Sequence, residues 1–354
     1  MFYRYEIKNN GKEDVLYLYL TMSYEFSREL TNNSSDKDIT RRAKNFINNK
    51  GINYNGTKVY LVVDDIIVKS IDISPSKEDI EVLKDSLYYS NKDFLVTLKL
   101  EDDSFIEITL KEYLEGAIAN NLVPNLNIEV LKAMAVLFRT YAYKEMNEKK
   151  FINIHNSFVM YKHISYYKLL WYNDYDKNIE MIDKAIDSTD CIFATYNNQY
   201  ILPFFHVSNN GSTKAKKGYS YLENISSLWD FASPYYIDVK DYSYSLFATI
   251  FKCSKEDIFN MKINIVDKQI VSIDINHIVY NVDTIKKLLN LKSNDIIIII
   301  NKESIRFITK GFGEFYGLSL YGANEVSKNG CDYLNIIKYY YPKITFNKYI
   351  KELS

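Results

Sequence analysis

Residues 15–20, 59–63 and 66–70 are apolar, strand-like runs, and the last two join through Asp64-Asp65. Between them, residues 36–49 form a polar stretch at helical spacing. Proline and polar residues at 74–79 break the pattern, and a short helix is expected to open behind them. This marks the boundary of a small N-terminal α+β module, 1–80. Alternation resumes at 94–100 and 105–109 around the polar turn 101–104, a hairpin pattern. Thr109 followed by Glu112 fits a capping box, and Tyr113, Leu114, Ala117 and Ile118 then share one helical face. Beyond Pro124, a second helix carries Leu131, Met134, Ala135, Phe138 and Ala142 at helical spacing, with Asn125 or Asn127 as its cap. Residues 295–300 and 305–309 read as another hairpin, and His277 falls in a strand pattern. Helices follow from near Ser319 to Asn329-Gly330 and from Asp332 to Pro342. Clusters of strands and helices without a steady βαβ rhythm predict the α+β class.

Composition narrows the picture. The 354 residues include only 11 glycines and 5 prolines, so each glycine cluster is informative, while tyrosine reaches 33. With 47% hydrophobic and 25% charged residues, the chain has the make-up of a folded globular protein. Basic (44) and acidic (45) residues nearly cancel, so no electrostatic footprint for nucleic acid is present. Cys191, Cys253 and Cys331 are far apart and fit neither a disulfide framework nor a zinc-finger spacing. The start of the sequence lacks the apolar segment of a signal peptide, and the longest aliphatic run, 296–300, is too short for a membrane span. The reading is a soluble chain, without a visible export signal.

Four segments, in order, resemble the SpoIID/LytB family of bacterial cell-wall remodelling proteins. Leu110-Lys-Glu-Tyr-Leu-Glu-Gly-Ala-Ile-Ala119 precedes Leu131-Lys-Ala-Met-Ala-Val-Leu-Phe-Arg-Thr-Tyr-Ala142, which is similar to the family's LKAQAVAARTYA. Phe204-Phe-His-Val-Ser-Asn-Asn-Gly-Ser-Thr213 resembles FFHSTSGGKT, and Leu288-Leu-Asn-Leu-Lys-Ser-Asn-Asp295 resembles a third block. Lys310-Gly-Phe-Gly-Glu-Phe-Tyr-Gly-Leu-Ser-Leu-Tyr-Gly-Ala323 keeps the frame of GRGWGHGVGMSQYGA. The likeness covers roughly 93–345, which defines a SpoIID-like domain. It implies an extracytoplasmic, sporulation- or wall-linked protein of the lytic transglycosylase type whose partner is the peptidoglycan glycan strand.

Such chemistry needs a carboxylic acid to protonate the glycosidic oxygen and then to accept the proton of the sugar's own hydroxyl. In the family this acid sits in A-x-E-M-P after the first helix. Here the stretch reads Ala119-Asn-Asn-Leu-Val-Pro124, which puts Asn121 at the position of the missing acid, and neither Asn120 nor Leu122 is a carboxylic acid. Glu314 stands where the family has histidine. It is a candidate relocated acid if desolvation between Gly313 and the aromatic rings raises its pKa. Glu112 and Glu115 read as capping and surface residues. Ser208, Asn209, Asn210, Thr213 and Ser319 are candidate sugar-binding groups, because short hydroxyl and amide side chains suit hydroxyl-rich ligands. Arg139 reads as an anchor for a buried carboxylate or carbonyl. The pairs Tyr166-Tyr167 and Trp171-Tyr172, with the run 339–341, are core or rim aromatics able to stack on sugars. His155 and His163 stand alone where some relatives place zinc ligands, so no metal and no cofactor are expected. Three readings stay open: a glycan-binding protein with impaired or lost cutting activity, a transglycosylase using Glu314, and an intracellular interaction protein that kept only the fold.

Overall fold

The computed structural model describes residues 2–9, 14–20, 43, 46–47, 58–63, 66–72, 81–85 and 94–351. The chain divides into two compact units, one formed by 1–203 with 326–354 and the other by 204–325.

The first unit opens with a four-stranded sheet in the order Phe2–Asn9, Asp14–Leu20, Lys58–Val63, Ile66–Asp72. The second and third strands are parallel and the outer pairs antiparallel. Leu16, Leu18, Val59, Leu61, Val63 and Ile71 point inward onto Ala43, Phe46 and Ile47. Residues 43, 46 and 47 are helical, but most of the expected 36–49 helix, and the 74–79 boundary, lie outside the described residues. The short helix expected behind that boundary does not form at Glu81–Asp85, which is a strand. Its parallel pairing with Thr345–Lys351 overrides the local pattern.

The hairpin Leu95–Lys99 and Phe105–Thr109 forms as expected and feeds the helix Leu110–Asn120. Thr109 and Glu112 close the capping box, and Tyr113, Leu114, Ala117 and Ile118 are buried. Asn127, not Asn125, caps the long helix Ile128–Glu148 by accepting the Glu129 N–H. Arg139 lies on that helix and is fully buried. It donates to the carbonyls of Ile186 (3.2 Å), Thr189 (2.8 Å) and Ile192 (3.0 Å). These carbonyls close the helix Tyr175–Ser188 and open the strand Ile192–Tyr196, so the guanidinium serves as a helix C-cap as well as a cross-link. The anchoring role read from the sequence thus falls on carbonyls.

In the second unit, Ile237–Ser243, Ser304–Lys310 and Ile296–Ile300 form an antiparallel sheet, with the aliphatic run as one of its two outer strands. Lys262–Val266, Gln269–Ile275 and Ile278–Asn281 form a second antiparallel sheet. Phe247, Phe251, Ile273, Ile285, Ile305 and Phe307 belong to one core cluster. His277 is not in a strand: Asn276 and His277 both take positive φ (49° and 62°) and make the turn between two of these strands. The chain is α+β. No helix among the described residues is long and apolar enough to cross a membrane.

Candidate functional site

Asn121 terminates the helix Leu110–Asn120 in the first unit. Its Nδ2 donates to the carbonyls of Ala117 (2.8 Å) and Met160 (2.9 Å), so the amide both ends the helix and ties it to the chain at 160. That chain lies against the helix backbone at Gly116, where a Cβ would fall 2.4 Å from the Lys162 carbonyl oxygen. Tyr113 stacks on Tyr161 beside it. The neighbouring Asn120 accepts the Tyr167 hydroxyl at 2.8 Å. Two donors to carbonyl oxygen are what Asn121 supplies, and a carboxylate cannot supply them.

Glu112 is spent on the cap: the backbone N–H and hydroxyl of Thr109 hold its carboxyl below the usual range. Glu115 is half-buried rather than a surface residue, and burial, with the neighbouring Asp183 carboxyl, pushes its pKa up to about 7. His163 caps a short turn by accepting the Ser165 N–H, and His155 is exposed, 3.7 Å from Glu101. Among the described residues no group of three or more His, Cys, Asp or Glu gathers into a metal site. The three cysteines are free thiols. Of the aromatic candidates, Tyr167, Tyr340 and Tyr341 are core residues, while Tyr166 and Tyr172 are exposed.

In the second unit, Phe205–His206 runs parallel to Leu318–Ser319, bringing two of the family-like segments side by side. Ser208 and Phe312 exchange backbone hydrogen bonds next to this pair. Gly313 takes φ +123°, and a Cβ there would meet the His206 Cβ at 2.6 Å, so the glycine lets this loop lie flat on the strand.

Beneath the loop sits a buried polar network centred on Asp230, a residue with no signal in the sequence. Its carboxylate accepts the hydroxyls of Ser227 (2.6 Å) and Ser319 (2.6 Å) and the Asn209 N–H (3.1 Å). Burial raises its pKa, and these donors pull the other way. The Ser208 hydroxyl is buried near the carboxylate but outside good hydrogen-bond geometry. Thr213 clamps the strand-like segment at 223–225, donating to the Glu223 carbonyl and accepting the Ile225 N–H, both at 2.8 Å. Ser208, Asn209, Thr213 and Ser319 are therefore closed to solvent and build the scaffold; they present no atom to a sugar. Asn210 is half-buried, its Nδ2 donating to Asp295 at 2.6 Å. Glu314 is exposed rather than enclosed between Gly313 and the aromatic rings.

His206 was visible in the sequence as part of a motif, and the structure gives it a role. Its Nδ1 lies 3.1 Å from the Tyr316 carbonyl, which only accepts, so Nδ1 carries the proton and Nε2 accepts from Asn209 Nδ2 at 3.3 Å. Burial pulls the imidazole pKa down to about 4. The folded state thus resists protonation that the unfolded chain accepts near 6.5. His206 contributes stability above that pH, which is lost as pH falls toward 4. At roughly 1.4 kcal/mol per unit, the expected loss is roughly 2–3 kcal/mol. Urea unfolding across this range should show it, with the wild-type minus His206→Gln difference changing by that amount.

Residues 102–196 match the SpoIID family, described as stage II sporulation protein. The chain is 27% identical over 266 residues to stage II sporulation protein D of Bacillus amyloliquefaciens, spanning 71% of this chain and 77% of that protein. It is also 27% identical over 288 residues to stage II sporulation protein D of Bacillus subtilis (strain 168), spanning 77% and 82%.

Proposed function

The chain belongs to the SpoIID family as a divergent member, and from that premise we propose that it is a sporulation-linked protein of the cell wall that holds peptidoglycan glycan strands without cutting them. The observation that carries this reading is the side chain of Asn121. By the family's motif the proton-cycling acid belongs there, and an amide donating to two backbone carbonyls stands in its place. The site has been refitted as a structural joint. The binding half of the reading rests on the segment 310–323, which keeps the family's frame and is braced from within by the Ser319–Asp230 hydrogen bond.

The test is direct. The full chain should pellet with purified sacculi while releasing no anhydro-muropeptides. Release that disappears in Glu314→Gln would establish the cutting alternative, and failure to pellet would remove the glycan strand as partner.

The joint itself predicts a stability effect. Asn121→Asp replaces a donor with a carboxylate facing two carbonyl oxygens. About 2 kcal/mol of stability should be lost at neutral pH, and part of it regained in acid, where the protonated carboxyl can donate once. Chemical denaturation at pH 7 and pH 4 checks this.

A further inference from the structure

The loop that carries Glu314 borders a cleft of about 310 Å³ in the second unit, lined among others by Lys214, Lys216, Asp283, Asn294, Glu314 and Tyr316. This volume is at the lower end of small-ligand sites. The two lysines are half-buried, and their ammonium groups rest on aromatic rings. Lys214 Nζ is 5.2 Å from the centre of Phe315, and Lys216 Nζ is 4.1 Å from that of Tyr316 and 5.4 Å from that of Phe204. Among the described residues, no carboxylate forms an ion pair with either. Both backbones are tied down: the Lys214 N–H donates to the Phe315 carbonyl at 2.8 Å, and the Lys216 carbonyl accepts the Tyr219 N–H at 3.1 Å. On the acidic side, Asp283 is engaged by Asn294 Nδ2 at 2.7 Å, and Glu314 is exposed.

Two cations held by ring faces keep most of their charge available to a ligand, because a quadrupole attracts an ammonium without neutralising it. We propose that this cleft is an oxyanion subsite. Its ligand is a polyhydroxylated segment bearing a carboxylate or a phosphate, with Lys214 and Lys216 taking the anion and Glu314 and Asn294 taking hydroxyls. The choice of a saccharide or polyol as the carrier rests on the wall-glycan reading above; the anion preference rests on the lysines.

Glucose, glucuronic acid and glucose 6-phosphate share one ring and differ at the sixth carbon, so they separate the two sources of charge. Titrated calorimetrically into the full chain at low salt, the acidic sugars should bind at least about tenfold more tightly than glucose. The tighter of the two identifies the oxyanion. Lys214→Met with Lys216→Met should bind all three alike. The corresponding arginine pair should keep the preference, which separates charge from packing. Equal binding of the three sugars to the wild type, or an undiminished preference in the methionine pair, would overturn the proposal. Sacculus pelleting in parallel keeps the two readings apart. Pelleting without anion preference defeats this inference alone, and anion preference without pelleting defeats the wall reading alone.

Discussion

Arg139→Ala is expected to lose about 4 kcal/mol of stability. The side chain is completely buried, and its guanidinium holds the carbonyls of Ile186, Thr189 and Ile192 with the Thr189 hydroxyl. Alanine takes this donor away from buried acceptors and opens a cavity the length of an arginine stem, so desolvation and packing losses add. Arg139→Lys keeps the charge but replaces the planar fork by a single ammonium, which cannot span three carbonyls on two elements. It should recover no more than about half of the loss. Urea midpoints of the three proteins decide this. An alanine variant within about 1 kcal/mol of wild type would mean that the helix end at 186–189 finds other donors.

The second large effect is expected at Asp230. Asp230→Ala removes the acceptor shared by Ser227, Ser319 and the Asn209 N–H, at a cost of about 4 kcal/mol. The hydroxyls can rotate to other partners, but the backbone N–H of Asn209 cannot, so this donor carries most of the penalty. Asp230→Asn behaves differently. One amide oxygen still serves Asn209 and Ser319, the Ser227 hydroxyl can turn to accept from the amide nitrogen, and a buried negative charge disappears. Because burial outweighs the donors and raises the Asp230 pKa, the asparagine variant should fall within about 1 kcal/mol of wild type. The sign of the pH dependence follows: the wild-type contribution declines as pH rises from the ordinary aspartate range through the raised value, and the asparagine variant should lack that decline. Thermal and urea unfolding from pH 3.5 to 7 would show both.

Local signals carried much of the fold. The capping box at Thr109 and Glu112, Asn127 before a 21-residue helix, and the hairpins at 95–109 and 296–310 all depend on residues a few positions apart, so the sequence displays them. Where the structure departs from expectation, the deciding partner is distant or the backbone is unusual. Glu81–Asp85 is a strand because residues 347–351 pair with it, and His277 leaves the strand because two successive residues turn left-handed. The site divides the same way. Asn121 and the motif around His206 could be located from the family frame. Asp230 could not, since its ligands at 209, 227 and 319 meet only after folding. The same distance explains Ser208, Asn209, Thr213 and Ser319. Their composition suits a sugar, but all four are buried, with Asn209 and Ser319 bonded to Asp230 and Thr213 to the backbone at 223 and 225.

The strand Thr345–Lys351 lies inside its sheet, between Ile192–Tyr196 and Glu81–Asp85, although both neighbours precede it in the chain and the whole unit 204–325 intervenes. During vectorial synthesis the inserted unit, 204–325, leaves the ribosome whole, while the host sheet waits with two open edges for its inner member. A chain cut short before 345 therefore leaves the facing edges of both neighbours exposed to self-association.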